Sequence, residues 1–282
     1  MAFGFLKKIK QIRNQLDNLT RLKNEEKSIS IINFLDQHLY KNPKYLGNKK
    51  LNRFEEQYFS QFGEDGMIQE IFKRIGTTNK YFIEFGVENG LECNTTNLLY
   101  NGWQGLWIEG SKAHYQKITE MYADLIDNGR LKAKNEFITA ENIEGHFNSA
   151  GAPAEPDLLS IDIDNNDYYV WQAITNYRPR VVIIEYNASY SADTHFVIPY
   201  NPARIWDRSN YFGSSLLALQ ALGDAKGYKL VACSFGGNNA FFIREDLLGD
   251  HFEAPYTAAN HYEPARYYLY HKLGHPGNRF PA

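Results

Sequence analysis

Two acidic residues and two glycines stand in the sequence where a cofactor could be bound. Glu84 lies within the segment 82–90, FIEFGVENG, in which Gly86 and Gly90 are four residues apart. Such a turn lets a ligand come close to the backbone. Glu109 ends a second apolar run 25 residues after Glu84, where a carboxylate can accept hydrogen bonds from a ribose diol. Together these residues predict a cofactor site, although each acid alone would equally suit a structural role at a helix end.

The glycine spacing also limits the kind of cofactor. It is not the G-x-G-x-x-G pattern of dinucleotide-binding turns, and the sequence has no G-x-x-x-x-G-K-[ST] phosphate loop. The pattern therefore gives little support to a nicotinamide dinucleotide or a nucleoside triphosphate.

A second group of polar side chains lies in the run 160–167, SIDIDNND. Alternation along a strand would place Ser160, Asp162 and Asp164 on one side. Oxygen ligands at the ends of two adjacent strands are suited to a hard divalent cation such as Mg²⁺. The residues predicted to hold it are Asp162, Glu185 and Asn187. The alternative is that these acids order their own loops or face water.

Removing a proton from an acceptor hydroxyl needs a base, and the candidates are Asp162, Asp164 and His195. Histidine titrates near neutral pH, but His195 lies in the long segment 189–212, where a solvent-exposed histidine is the more ordinary reading. Asp162 is therefore the preferred base. The segment 189–212 is expected to form a lid or an acceptor wall. The Tyr- and His-rich tail, 256–280, would complete that wall or cap the sheet.

The segments that position these residues alternate between strand and helix patterns. Apolar runs predict five strands connected by helices, which implies parallel β-α-β units. The predicted strands are 81–85, 105–108, 131–133, 157–163 and 181–186, and the main predicted helices are 65–74, 94–100, 112–128 and 214–226. Two further strands, 228–233 and 239–244, are joined by a short loop and must pair antiparallel. The predicted fold is α/β, a doubly wound, mostly parallel seven-stranded sheet with a terminal antiparallel hairpin.

The first 50 residues differ in character from the rest and are predicted to be a helical extension and linker before a domain spanning 51–282. An apolar seam with helical spacing is formed by Phe5, Ile9, Ile12, Leu16 and Leu19. The seam is flanked by Lys7, Lys8, Lys10 and Arg13. Such a helix would pair with a copy of itself, lie on an anionic membrane surface, or fold back onto the body of the protein.

The composition excludes several classes of protein. A formal net charge of −3 gives no basic excess for a nucleic-acid backbone. Two cysteines are too few for a disulfide scaffold or a zinc cluster. The sequence has no apolar run long enough to span a bilayer and no signal-peptide core. A cytoplasmic protein without a transmembrane segment is expected.

The glycine turn and Glu109 resemble those of class I S-adenosylmethionine-dependent methyltransferases. The run 60–66, SQFGEDG, and the segment 94–109 resemble the FkbM-type branch, whose members methylate hydroxyls of sugars and natural products. The resemblance covers roughly residues 59–244. It implies that the turn holds the methionine portion of the cofactor and that Glu109 holds its ribose. The predicted cofactor-binding residues are Gln61, Glu84, Gly86, Asn89, Gly90, Glu109 and Ser160.

The function that this resemblance implies is transfer of a methyl group to a hydroxyl of a sugar, a glycan precursor or a nucleotide-linked sugar. A bulky residue at Gly90 is expected to abolish cofactor binding, because its side chain would occupy the cofactor's space. Two other interpretations stay open: a nicotinamide-dependent oxidoreductase, and a non-catalytic protein that binds a partner through the N-terminal helix. Titration with the two cofactors distinguishes all three.

Overall fold

Seven strands form one sheet in the order β3-β2-β1-β4-β5-β7-β6. The computed structural model describes residues 2–270, with side chains from residue 7 onward. The strands are β1 Tyr81–Phe85, β2 Gln104–Glu109, β3 Leu131–Asn135, β4 Leu158–Ile161, β5 Val181–Glu185, β6 Tyr228–Cys233 and β7 Asn239–Arg244. Strands β1 to β5 pair in parallel, whereas β7 is antiparallel to both β5 and β6. The predicted fold class is confirmed: this is a Rossmann-like, mostly parallel seven-stranded sheet with an antiparallel hairpin at its end.

The helices lie between the strands and at the two ends of the described chain. They are α1 Ala2–Leu35, α2 Glu64–Ile75, α3 Thr96–Tyr100, α4 Lys112–Met121, α5 Ala123–Asp127, α6 Ile143–Ser149, α7 Asp167–Ala173, α8 Leu216–Ala225 and α9 Ala258–His261. The single helix predicted over 112–128 is divided at Tyr122. Its ring packs edge-to-face on Trp107, with centroids 4.9 Å apart, and its hydroxyl donates to the Gly90 carbonyl at 2.6 Å. The helix is interrupted where this side chain enters the core.

Both faces of the sheet are covered by apolar side chains. Every residue of β1 is buried, and its side chains divide between two clusters as strand alternation requires. Ile83 and Phe85 belong to one cluster, while Phe82 packs with Trp107 in the other. Burial on both faces explains why the central strands are near-continuous apolar runs.

The N-terminal helix stands out from this body. All residues from 7 to 27 are exposed, so the expectation that the seam folds back onto the protein is wrong for this stretch. Apolar packing on the body begins at Ile31, which is buried with Tyr45, Phe235 and Leu269. Within the described residues, no helix is long and apolar enough to cross a membrane.

The segment predicted as a linker, 41–50, packs against the domain. Tyr45 is only 2% exposed, and its hydroxyl donates to a carboxylate oxygen of Glu263 at 2.8 Å. Lys44 pairs with the same carboxylate at 2.6 Å. The segment is thus held by a buried acid more than 200 residues away in sequence, and the division into 1–50 and 51–282 stays a prediction.

One buried ion pair joins the starts of the three strands that carry the candidate site. The Asp157 carboxylate, before β4, accepts hydrogen bonds from the backbone N–H groups of residues 78–80 before β1. It also accepts from Arg180, before β5, at 2.7 Å. Burial raises the pKa of Asp157, but the hydrogen bonds from Arg180 and the backbone outweigh it and hold that pKa below its usual value. The pair therefore aligns β1, β4 and β5.

We expect Asp157→Ala to lower the free energy of unfolding by about 3–5 kcal/mol, because the Arg180 guanidinium would stay buried without its counter-ion. The matched control is Glu155→Ala. Glu155 pairs with Arg244 at 2.9 Å, but its side chain is 54% exposed, so a loss of about 0–1 kcal/mol is expected. Urea unfolding followed by circular dichroism measures both; similar losses would show that the buried pair does not hold the three strands together.

Candidate functional site

Glu84, near the end of β1, makes its hydrogen bonds to other groups inside the protein. Its carboxylate is buried and accepts hydrogen bonds from the backbone N–H groups of Asn94 and Thr95, at 2.9 and 3.1 Å, and from the Thr95 hydroxyl. Ser160 donates to it at 3.1 Å. Burial raises the pKa of Glu84 to about 7 despite these hydrogen bonds. Glu84 therefore holds the segment that follows the glycine turn, and Ser160 serves the same network.

The two glycines of the turn are required by the protein's own packing. Gly86 has a φ of +77°, and a Cβ there would lie 1.5 Å from the carbonyl oxygen of Asp162. Gly90 has a φ of +79°, and its Cβ would lie 2.8 Å from ring carbons of both Trp107 and Tyr122. A bulky side chain at Gly90 would thus collide with the protein's own rings. This collision, rather than occupation of the cofactor's space, is the expected cause of damage.

Glu109, at the end of β2, lies beside this turn and keeps capacity to bind a ligand. One carboxylate oxygen accepts from the Glu88 N–H at 2.8 Å and the other from the Ser111 N–H at 2.7 Å. A carboxylate offers about four acceptor positions, so roughly half of its acceptor positions are still available. Burial raises the pKa of Glu109, against the effect of these two hydrogen bonds. The arrangement suits two donors, as in a diol.

Three carboxylates meet at the ends of β4 and β5. Oxygens of Asp162, Asp164 and Glu185 all lie within 4.8 Å of one another, and we call these residues the acidic cluster. One oxygen of Glu185 is buried without a hydrogen-bond partner in the described structure. Burial, followed by repulsion from the neighbouring acids, raises the pKa values of Asp162 and Glu185 well above their usual range. The cluster is suited to holding a proton or a cation.

A fourth acid, Asp167, was part of the predicted run but was not singled out. It begins α7 and is 1% exposed. One of its oxygens accepts from the Ile163 N–H at 2.8 Å, and the other is buried without a partner among the described residues. Burial raises its pKa to about 7. A helix-starting acid usually caps its own helix, so the position of Asp167 in the sequence does not indicate a buried acid with a raised pKa.

Two predicted residues are not part of the acidic cluster. Asn187 is fully buried, and its amide nitrogen donates to the carbonyls of Asn210 and Phe212 at 2.9 and 3.0 Å. Its amide oxygen accepts from the Ser189 N–H at 3.0 Å. Asn187 thus closes the base of the insertion 189–212, which argues against a role as a cation ligand. His195 is exposed on that insertion.

The other predicted cofactor contacts lie around the turn. Asn89 is half-buried, and its side-chain oxygen accepts from the Leu91 N–H at 3.0 Å, which shapes the turn itself. Gln61 is exposed and lies 3.4 Å from the amide of Asn238. Of these two residues, Gln61 has the side chain that is more open to a ligand.

The C-terminal tail, 256–280, has two predicted roles, completing the acceptor wall or capping the sheet. Residues 271–282 lie outside the described residues. Residues 262–270, which we call the strap, cross the carboxyl edge of the sheet. Tyr270 donates to Glu92, after the glycine turn, at 2.8 Å. Burial of its hydroxyl, followed by the charge of Glu185, raises the pKa of Tyr267 to about 12, and the charge of Asp162 contributes as well. The strap therefore forms part of the wall of the site.

Neither a protein-family model nor a curated protein matches this chain. Solved structures do share the fold. A Staphylococcus aureus protein assigned as a caffeoyl-CoA O-methyltransferase is 12% identical, with a TM-score of 0.46 over 77% of this chain and 99% of that chain. An assigned O-methyltransferase from Klebsiella pneumoniae is 13% identical, with a TM-score of 0.43 over 78% and 97% of the two chains. At these values the likeness concerns fold alone.

Gly90→Ala is expected to lower the free energy of unfolding by about 2–4 kcal/mol, combining the left-handed backbone with overpacking against two rings. Gly102→Ala is the matched control. Its φ is +81°, but nothing lies within 4 Å of its Cβ, so only the backbone cost of about 1–2 kcal/mol applies. Urea unfolding at equal protein concentration compares the two variants, and equal losses would contradict the packing role assigned to Gly90.

Proposed function

We propose that this protein is an S-adenosylmethionine-dependent methyltransferase that methylates a hydroxyl group. The observation that carries the proposal is the juxtaposition of Glu109 and the glycine turn with the acidic cluster. Strand order reverses between β1 and β4, and ligands of doubly wound sheets bind at the carboxyl edge beside such a reversal. Glu109 and the turn lie on the β2–β1 side of that point, and the acidic cluster lies on the β4–β5 side.

On the first side, the chain's own groups would bind the cofactor and fix its direction. Glu109 would accept hydrogen bonds from the ribose hydroxyls, and the backbone from Gly86 to Gly90 would lie against the methionine portion. Gln61 is placed to add a contact from the neighbouring segment. When bound, S-adenosylmethionine supplies a methyl group on a positively charged sulfur. Holding this group in line with the acceptor oxygen is the main contribution of such a site to the rate.

On the second side, Asp162 would take the proton of the acceptor hydroxyl as the oxygen–carbon bond forms and the carbon–sulfur bond breaks. Its raised pKa makes it a stronger base than an ordinary aspartate once it is ionised. Burial, followed by the charges of Asp167 and Asp164, opposes the ionisation of Asp162. Asp162 would therefore act as the base, and these surroundings would set the pH at which it can do so.

The acidic cluster also fits a divalent cation. The residues that would hold Mg²⁺ are Asp162, Asp164 and Glu185, and the unpartnered oxygen of Glu185 supports this set. Asn187 does not fit, since its amide is occupied by the insertion. A bound cation would occupy the Asp162 carboxylate and supply positive charge beside the acceptor's oxygens, as an alternative to Asp162 acting as the base.

Aromatic side chains support a sugar, a glycan precursor or a nucleotide-linked sugar as the acceptor. Tyr190 and Phe196 stack in the insertion, with ring centroids 4.3 Å apart. Trp206 and Tyr211 of the insertion and Tyr267 of the strap are exposed. Flat aromatic faces cover the apolar face of a sugar ring, while carboxylates accept from its hydroxyls.

Calorimetric titration with S-adenosylhomocysteine tests the cofactor assignment, with NAD as the competing ligand. We expect S-adenosylhomocysteine to bind and NAD not to bind. Glu109→Ala should weaken this binding about 10- to 100-fold, since it removes hydrogen bonds to a charged group worth about 1.5–3 kcal/mol. The control is Glu120→Ala, an exposed acid on α4, which should bind normally. NAD binding would favour an oxidoreductase, and binding of neither ligand would favour the non-catalytic partner-binding protein.

Asp162→Asn tests the base. In a screen of nucleotide-linked sugars that measures release of S-adenosylhomocysteine, we expect the variant to lose about 10²- to 10⁴-fold in rate. Its cofactor binding should be retained. For the unsubstituted protein, the rate should rise with pH and then level off, with a midpoint well above the usual range of an aspartate, because the raised pKa of Asp162 keeps it protonated at lower pH.

The control for this experiment is Asp127→Asn, since Asp127 is exposed on α5, outside the insertion. Full activity in Asp162→Asn would exclude Asp162 as the base. Repeating the assay with Mg²⁺ and with a chelator tests the cation, and Asp164→Asn should weaken calorimetric Mg²⁺ binding. The cation would be contradicted by equal rates with Mg²⁺ and with the chelator, together with equal Mg²⁺ binding by the unsubstituted protein and Asp164→Asn.

A further inference from the structure

We propose that α1 binds the surface of a membrane that contains anionic lipids. The helix has 34 residues and is therefore about 51 Å long. Its residues 7–27 are exposed throughout. In proteins, most of the stability of a helix comes from packing its apolar face rather than from the helix propensity of its residues. The exposed part of α1 therefore needs a surface to pack on.

The apolar stripe of the exposed part is narrow and continuous. It consists of Ile9, Ile12, Leu16 and Leu19, which are 47%, 55%, 58% and 62% exposed. The spacing of three and four residues puts these side chains on one side of the helix. Such a stripe suits a helix lying in the plane of a membrane interface, with its apolar side chains among the upper acyl chains.

The charges around the stripe favour an anionic partner. Residues 7–27 contain seven Lys or Arg and three Asp or Glu, an excess of four positive charges, whereas the whole chain has a net charge of −3. The rest of the chain therefore carries −7, and the positive charge is concentrated on α1. Lys7, Lys8, Lys10 and Arg13 lie within two turns of one another, and helical spacing places Lys8 and Arg13 on the two sides of the apolar stripe. Basic residues beside an exposed apolar stripe are attracted to anionic headgroups.

The same charges oppose pairing with a second copy of α1. If the stripe residues are taken as the a and d positions of a heptad repeat, Lys8 and Arg13 occupy the flanking g and e positions. In a parallel pair each Lys8 would face the partner's Arg13, a like-charge contact. The next a and d positions are Lys23 and Glu26, so the stripe ends after two heptads. A stable coiled coil usually needs three or four.

The end of α1 is attached to the wall of the candidate site. Lys27 donates to the carbonyl of Tyr270 in the strap at 2.9 Å, and the Phe34 ring meets Tyr268 edge-on with centroids 6.0 Å apart. The C-terminal part of α1 is thus joined to the strap that borders the site. The inference itself does not depend on the proposed reaction.

Sedimentation of the full chain with lipid vesicles tests the inference. We expect binding to vesicles of equal parts phosphatidylcholine and phosphatidylglycerol, weak binding to phosphatidylcholine alone, and release at high salt. The Lys8→Gln/Arg13→Gln variant should lower the vesicle partition coefficient about fivefold for each lost charge. Leu16→Ser/Leu19→Ser should abolish detectable binding.

The matched control is Leu22→Ser/Ile29→Ser. These two residues are 53% and 60% exposed but lie roughly 110° around the helix from the middle of the stripe, so binding should be retained. No binding to the anionic vesicles, or equal loss in both double variants, would overturn the inference. So would a dimer in analytical ultracentrifugation that Leu16→Ser/Leu19→Ser dissociates. Titration of the same samples with S-adenosylhomocysteine reports on the proposed function separately.

Discussion

The two halves of the candidate site are joined by the close approach of the turn after β1 to the end of β4. A Cβ at Gly86 would lie 1.5 Å from the carbonyl oxygen of Asp162, so any other residue would force the turn and the strand end apart. The Gly86 N–H donates to the carbonyl of Ile108 at 3.1 Å, one residue before Glu109. This one approach therefore fixes the cofactor side of the site relative to the acidic cluster.

Near this contact, the buried Glu84 carboxylate, rather than a backbone carbonyl, accepts hydrogen bonds from the backbone after the glycine turn. The segment around Asn94 and Thr95 directs its N–H groups at Glu84, which also accepts from Ser160 of the neighbouring strand β4. Taking a carboxylate out of water is costly, and its raised pKa shows that the hydrogen bonds do not fully offset that cost. The acid before the glycine turn is thus a structural requirement as well as a sequence marker.

The parts of the fold that could be predicted are those whose signal is local. Strand β1 was predicted with its observed bounds, Tyr81–Phe85, because a strand buried on both faces is a continuous apolar run. The break at Tyr122 could not be predicted, because it depends on Gly90, 32 residues earlier in the sequence. The strap likewise could not be predicted, because Tyr270 contacts Glu92, which is 178 residues away in the sequence. The role of Asn187 depended on how the insertion closes, and its type alone suggested a ligand.

The acidic cluster and the residues around it destabilise the folded protein, and no packing interaction requires them. Two carboxylates within 4.8 Å of each other repel by a few kcal/mol, roughly, at the effective dielectric constant of a protein surface. Asp164 and Glu88 also have left-handed φ values of +67° and +48°, a strain of about 1–3 kcal/mol each for such residues. Neutral side chains in ordinary conformations would fold more stably at these positions. A proton or a cation held between the carboxylates would recover much of the repulsion, and the proposed chemistry requires a group that can gain and lose one at this place.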